Sequence, residues 1–333
     1  MEKLLGKNGK FYKANLHCHT CNSDGRMTPE MVKEEYMARG YSVVAFTDHE
    51  HVLDNSDLTD KNFLAINGCE VAIKESPRES TLVKTDMRVV HMNFYAKTPD
   101  NLVTPCYNSV YDHYLNDNIR DKVQYEGEYE RVYSAEGISE IIAEAKRCGF
   151  IVSYNHPTWS LEDARHFTGY EGLFAVEIYN HGTAVMGLPT DELAVDQMRR
   201  AGKRVFVTAC DDNHNWQKFG TPECDSFGGF VMIDAPELSY SAIMNALESG
   251  DFYASTGAEI HSITREGNTV AVECSPANKI SIIRETRKAE TVYAPEGELI
   301  SRAEFTIDDK NGAFRIRVTD GEGKLAFSQN YEL

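Results

Sequence analysis

The chain has no uninterrupted run of about 18 apolar residues, which excludes a transmembrane helix. Positive charge is scarce: 34 Lys and Arg stand against 52 Asp and Glu, a net charge of −18. A field of that sign repels polyanions and excludes a duplex nucleic acid held by its phosphates. The opening Met1-Glu2-Lys3-Leu4-Leu5-Gly6-Lys7-Asn8-Gly9-Lys10 is basic and lacks the apolar centre of a secretory signal. Paired Cys-x-x-Cys motifs are also missing. Among the eight cysteines only Cys18 and Cys21 stand three apart, and no second pair completes a thiolate zinc site. The expectation is a cytoplasmic protein with reduced thiols. What is present is ordinary for a globular chain: 333 residues, 41% hydrophobic and 26% charged, enough for a sizeable core in one large domain or two.

Short β-rich runs alternate with helix-like segments. Strands are expected over 11–16, 42–46, 62–66, 88–95, 150–154, 175–179, 205–208, 229–233 and 252–254. A helix should start at Thr28-Pro29-Glu30 and stop at Gly40. Others should run over about 134–148, with Ile138, Ile141, Ile142 and Ala145 on one face, and over 189–201 and 239–249. Strands alternating with such helices predict a parallel α/β sheet, and this many units predict a closed or nearly closed barrel. After Gly257 the pattern becomes all-β, with turns marked at Gly267-Asn268, Asn311-Gly312 and Asp320-Gly321. Residues 98–133 carry six tyrosines, Tyr107, Tyr111, Tyr114, Tyr125, Tyr129 and Tyr133, and read as an insertion, either a lid over a site or a helical excursion on the surface.

Histidine and carboxylate recur at predicted strand ends. His17 and His19 stand two apart on an extended segment and point the same way, with Cys18 on the opposite face. Asp24 follows in a turn. His49 closes Thr47-Asp48-His49, Glu70 closes Gly68-Cys69-Glu70, and His91 lies within a strand. His156 follows another strand in Asn155-His156-Pro157, and Asp212-Asn213-His214 comes after the strand at 205–208. In a barrel these ends meet on one face, so six of the eleven histidines would gather with three carboxylates. Imidazole and carboxylate without thiolate suit zinc, manganese or iron, and nine donors can hold two or three divalent ions. Three such ions against three carboxylates leave a surplus of about +3, which attracts a small anion such as phosphate.

In this order the motifs resemble the PHP family, named for polymerase and histidinol phosphatase domains. The resemblance runs over residues 11–214, extended by the barrel pattern to about 257. It implies a distorted (β/α)7 barrel over 1–257, interrupted at about 98–133, with a two- or three-metal (trinuclear) centre at the C-terminal strand ends. It makes His17, His19, Asp24, His49, Glu70, His91, His156, Asp212 and His214 the metal ligands, Asp24 standing where some members have histidine. Asp211 would support Asp212, and Asp48 would orient a ligand or a bound water. Residues 249–257 and a small C-terminal all-β module over 258–333 resemble a branch that includes carbaryl-type hydrolases.

The expected activity is that of a metal-dependent phosphoesterase acting on a small phosphomonoester or nucleotide through a hydroxide bridging the ions. His181 is the candidate acid, and Arg26, His51 and Arg165 are candidates for holding the substrate. One alternative is hydrolysis of a carbamate, carboxylic ester or amide at the same centre. Another is a non-catalytic, metal-stabilised binding module. The expected partner is a small anionic, phosphorylated molecule, with no membrane; the sequence leaves the oligomeric state open.

Overall fold

The Thr28 hydroxyl accepts a hydrogen bond from the Met31 amide, and with Pro29 at the first position the helix Pro29–Met37 starts there in the computed structural model of the chain. The structure describes residues 1–76, 87–308 and 312–332. Ser134 caps the helix Ala135–Arg147 in the same way, and its buried face is Ile138, Ile141, Ile142 and Ala145 as the spacing predicts. These side chains join the core formed with Val90, Phe94 and Val152 of the adjoining strands. The helix expected over 189–201 runs Glu192–Arg200, and a short helix His181–Val185 precedes it. Among the described residues no helix is long and apolar enough to cross a membrane.

The fold is mixed α/β, with one large sheet and few helices. The strands that bear on the site lie side by side in the order Phe230–Asp234, Phe11–Asn15, Tyr41–Phe46, Leu64–Lys74, Val89–Ala96, Phe150–Tyr154, Ala175–Asn180 and Phe206–Cys210. Not all are parallel. Val89–Ala96 runs against both neighbours, and Phe11–Asn15 runs against Phe230–Asp234. The strand expected over 62–66 continues to Lys74, so Glu70 lies inside it. Gly68 permits this continuation: a Cβ there would sit 2.5 Å from the Phe94 carbonyl oxygen.

The expected closed barrel is corrected by the hydrogen bonding. No ladder joins Phe206–Cys210 to Phe230–Asp234, and the sheet is not closed. Part of the reason lies in the amides leading into Phe230–Asp234. Those of Phe227, Gly228 and Gly229 all donate to the Asp211 carboxylate (2.8–2.9 Å) rather than to strand carbonyls. A side chain instead ties Phe206–Cys210 to Phe252–Ser255, the strand beyond Phe230–Asp234. Gln329 accepts from the Val207 amide (2.7 Å) and donates to the carbonyls of Val207 (3.0 Å) and Phe252 (3.2 Å).

After Gly257 the described residues form strands and loops only, and these belong to the same sheet through the pairing of Leu325–Phe327 with Phe252–Ser255. The turn expected at Asn311-Gly312 lies in part outside the described residues. The insertion holds two short 3-10 turns, Ser109–Tyr114 and Arg120–Lys122, and a two-residue strand pair, rather than an α-helix.

Candidate metal centre

The structure gathers nine side chains from separate segments into one cup. They fall into three groups whose donor atoms converge: His19, Asp24, His49 and His214; His17, His19 and Asp212; and Glu70, His91 and His156. Glu70 stands between them. Its Oε1 lies 3.1 Å from His91 Nδ1, 3.2 Å from His17 Nε2 and 3.3 Å from His156 Nε2. Its Oε2 lies 3.1 Å from His49 Nδ1 and 3.5 Å from His19 Nε2. Asp212 Oδ1 is 3.1 Å from the Nε2 atoms of both His17 and His19. Asp24 closes the outer side, 3.4 Å from His49 Nε2 and from His214 Nε2, with its side chain 37% exposed.

Local backbone geometry aims these donors. His17 and His19 share one face of the chain leaving Phe11–Asn15, as the two-residue spacing requires. Gly25 lets the Asp24 turn close, since a Cβ there would meet the His19 carbonyl oxygen at 2.6 Å. His156 and Asp212 both take positive φ, 29° and 54°, a conformation that costs energy in residues with a Cβ and persists where surrounding contacts hold it. Asp48 is buried under the Asp24 turn and accepts from the Thr20 amide (2.7 Å), the Thr20 hydroxyl (2.8 Å) and the Ser23 hydroxyl (2.7 Å). Its contacts organise the chain that presents His19 and Asp24.

Electrostatics shows a demand for positive charge. Burial would lower His17, but Asp212, Glu70 and Glu177 raise it well above the ordinary imidazole value. Burial likewise lowers His49 and His214, and carboxylate contacts outweigh it, lifting them to about 10 and about 9. Glu70 and Asp212 are pushed up by burial and held well below the carboxylate range by the surrounding imidazoles. His19 is kept neutral, lowered to about 3 by burial and by the neighbouring His214 and His49. Its Nδ1 is buried with no hydrogen-bond partner, and its Nε2 points at His17 Nε2 across 3.1 Å. Facing imidazole nitrogens ringed by carboxylates are the donor set of a divalent cation, and these residues fit one.

The supporting residues were partly hidden in the sequence. Glu177, fully buried, lies 2.8 Å from His17 Nδ1 and accepts from the His156 amide (3.0 Å) and the Asn180 amide group (2.9 Å). That contact leaves His17 Nε2 facing the cup. Its one sequence signal is a lone carboxylate within the apolar Ala175-Val176-Glu177-Ile178 run. Asn155 donates to Glu70 Oε1 (2.8 Å) and Asn180 to Asp212 Oδ2 (3.1 Å).

The cup opens into a cavity of about 650 Å³ whose walls include Lys74, Tyr114, Trp159, Met186 and Trp216. Both tryptophans of the chain are there. Trp159 packs against His91 and His156, and Tyr114 lies over His49 with ring centroids 4.3 Å apart. The remaining sequence candidates are not in the cup. His181 begins a short helix capped by Asn180, which turns its ring against Gly228, away from the cavity, and Tyr179 lies 2.8 Å from its Nδ1. Asp211 faces the 227–229 turn and Tyr36, and burial raises it to about 6. His51 lies under the insertion beside Tyr125. Arg165 is 78% exposed and paired with Asp163 beside a different pocket. Arg26 is exposed but stacks on Trp216, 3.3 Å from its ring centre, at the cavity rim.

No protein-family model matches the chain, and no curated protein sequence matches it. Among solved structures it is similar to a two-domain protein from Bacteroides vulgatus containing a predicted PHP-like metal-dependent phosphoesterase. That match has 13% identity, covers 99% of this chain and 98% of the other, and has a TM-score of 0.46. A proposed metal-dependent phosphoesterase from Bifidobacterium adolescentis shares 17% identity over 62% of this chain and 90% of its own, with a TM-score of 0.37. An amidohydrolase from Chromobacterium violaceum, with bound sulfate and no metal, shares 16% identity over 60% and 87%, also at 0.37.

Proposed function

We propose that the protein is a metal-dependent hydrolase, and that its reaction is cleavage of a small phosphate ester. The observation that carries this is the convergence of six imidazoles and three carboxylates, in three groups, seven of the nine lining one cavity. Bound divalent ions would supply an acidified water and Lewis-acid contacts to the oxygens of the scissile group. The chain's own part is to hold the donors and shape the space above them. Glu177 orients His17, Asp48 sets the Asp24 turn, and Asn155 and Asn180 fix the carboxylates of Glu70 and Asp212. Lys74 lines the cavity and Arg26 stands at its rim, two cations placed for an anionic substrate.

One observation favours a second reading, attack on a carbamate or carboxylic ester. The cavity wall includes Val89, Tyr114, Trp159, Val185, Met186 and Trp216, an apolar and aromatic surface suited to an uncharged organic group. The test is turnover of para-nitrophenyl phosphate, its bis-ester and a para-nitrophenyl carboxylic ester after reconstitution with manganese, iron or zinc. Hydrolysis of either phosphate ester, lost on chelation, supports the first reading. Turnover of the carboxylic ester alone moves the assignment to the second, and ion binding without turnover of any moves it to a binding module.

A further inference from the structure

The insertion meets the cup on one side. Asn116, on the insertion, directs its amide group at three successive carbonyls, Cys21 (3.1 Å), Asn22 (3.1 Å) and Ser23 (3.3 Å), immediately before Asp24. Tyr114, two residues earlier, covers His49. Arg131 pairs with Glu50, the residue after His49, through contacts of 3.0 and 2.6 Å, both side chains being buried. Tyr125 reaches His51 (3.2 Å), and Leu115 and Ile119 pack with Leu53. All of these fall on the two loops that present Asp24 and His49. Among the described residues no hydrogen bond or ring contact runs from the insertion to His17, His91, His156 or Asp212.

We infer that the insertion is a structural arm of the outer ion site formed by His19, Asp24, His49 and His214, with Asn116 as the positioning residue that holds the Asp24 turn in ligating register. This rests on the proposed metal centre. Asp24 is the most exposed of the nine donors and sits on a turn. The Asp48 contacts hold that turn at the Thr20 amide and hydroxyl and the Ser23 hydroxyl, whereas among the described residues Asn116 alone reaches the carbonyls of Cys21, Asn22 and Ser23 with a side chain. The Glu70, His91 and His156 group takes its donors from strands and a strand end, and the insertion reaches that sheet through Arg131 at the Ala72 carbonyl (2.9 Å), not through Asn116. Loosening the arm should therefore release one ion selectively.

The test uses the full chain loaded with manganese or zinc. Asn116→Asp keeps the size of the side chain, removes its donor and sets a negative charge against three carbonyls. Asn116→Ala removes the group without adding charge. Both should retain about one ion fewer than the wild type after dialysis and release that ion to a chelator roughly tenfold faster or more. Glu128→Gln, altering an exposed contact to Ser109 within the insertion, should load as the wild type does. Near-ultraviolet circular dichroism of the ion-free proteins checks that each variant is folded, and Asn116→Ala decides the matter if the aspartate variant is not. Unchanged stoichiometry and release rate in a folded variant overturns the inference, as does loss of every ion. A wild type that binds no ions overturns the metal-centre reading itself, and the inference with it.

Discussion

Glu70 shows how much one side chain can carry. Its two oxygens face five imidazoles, and burial alone would neutralise it, yet the rings keep it ionised. Such a carboxylate needs cations around it, whether protons on histidine or divalent ions. Glu177 works one step back, through His17. Glu177→Gln should preserve the fold and weaken ion binding by roughly 10- to 100-fold, read by chelator competition, because a neutral amide orients and polarises the imidazole less. Asp191 has a different consequence. It is buried, accepts from the Thr158 amide (2.9 Å) and hydroxyl (2.5 Å), and is raised by burial from 3.8 to about 6. A carboxyl that ionises less readily when folded costs stability as pH rises above the unfolded value, with the full cost reached above the folded one. Asp191→Asn should therefore gain on the wild type between pH 4 and pH 7, by on the order of 2 kcal/mol in paired urea melts. An equal gap at both pH values would contradict the shift.

At the scale of elements, the position of a residue after a strand was readable, but the direction of its side chain was not. His17, His19 and His156 follow strands and enter the cup. His181 also follows a strand, yet the helix that starts there turns it toward Gly228. Helix initiation at Asn180 is a choice of backbone path that a single histidine in the sequence does not mark. The open seam is a second case. Periodicity shows strands, not which edges pair, and here Asp211 takes the amides that lead into Phe230–Asp234. Phe206–Cys210 is tied instead to Phe252–Ser255 through Gln329. Gln329→Ala should leave the amide and carbonyl of Val207 without their side-chain partner in a buried place and cost about 1–3 kcal/mol, measured by urea unfolding. Wild-type stability in that variant would show that Phe206–Cys210 is held at this edge some other way.

Across the whole molecule, a net charge of −18 surrounds a cup built to take positive charge. Ions that bind the folded chain and not the unfolded one stabilise it by mass action, by about 2.7 kcal/mol for one site at a hundred times its dissociation constant. Exhaustive chelation should therefore lower the melting temperature by several degrees, and manganese or zinc should restore it in a saturable way. A melting temperature indifferent to both would remove the metal centre from the account of stability. The same scale separates the tail from a freestanding unit in hydrogen bonding, since Leu325–Phe327 and Phe252–Ser255 pair in the common sheet. Arg315 also reaches across to Glu192 and Asp196 of a helix, each at 2.6 Å.

By itself the sequence determined the donor chemistry and its rough address: which residues can bind a cation, and that they recur beside strands. Residue type and short spacing decide that much, because two residues two apart on an extended chain share a face wherever the chain goes. Only the tertiary structure decided which of them meet, that Glu70 and Glu177 act from within strands, that His181 and Arg165 stand elsewhere, and that the sheet stays open. Those outcomes depend on contacts between segments far apart in the chain, and local pattern carries no record of which backbone groups will find which partners.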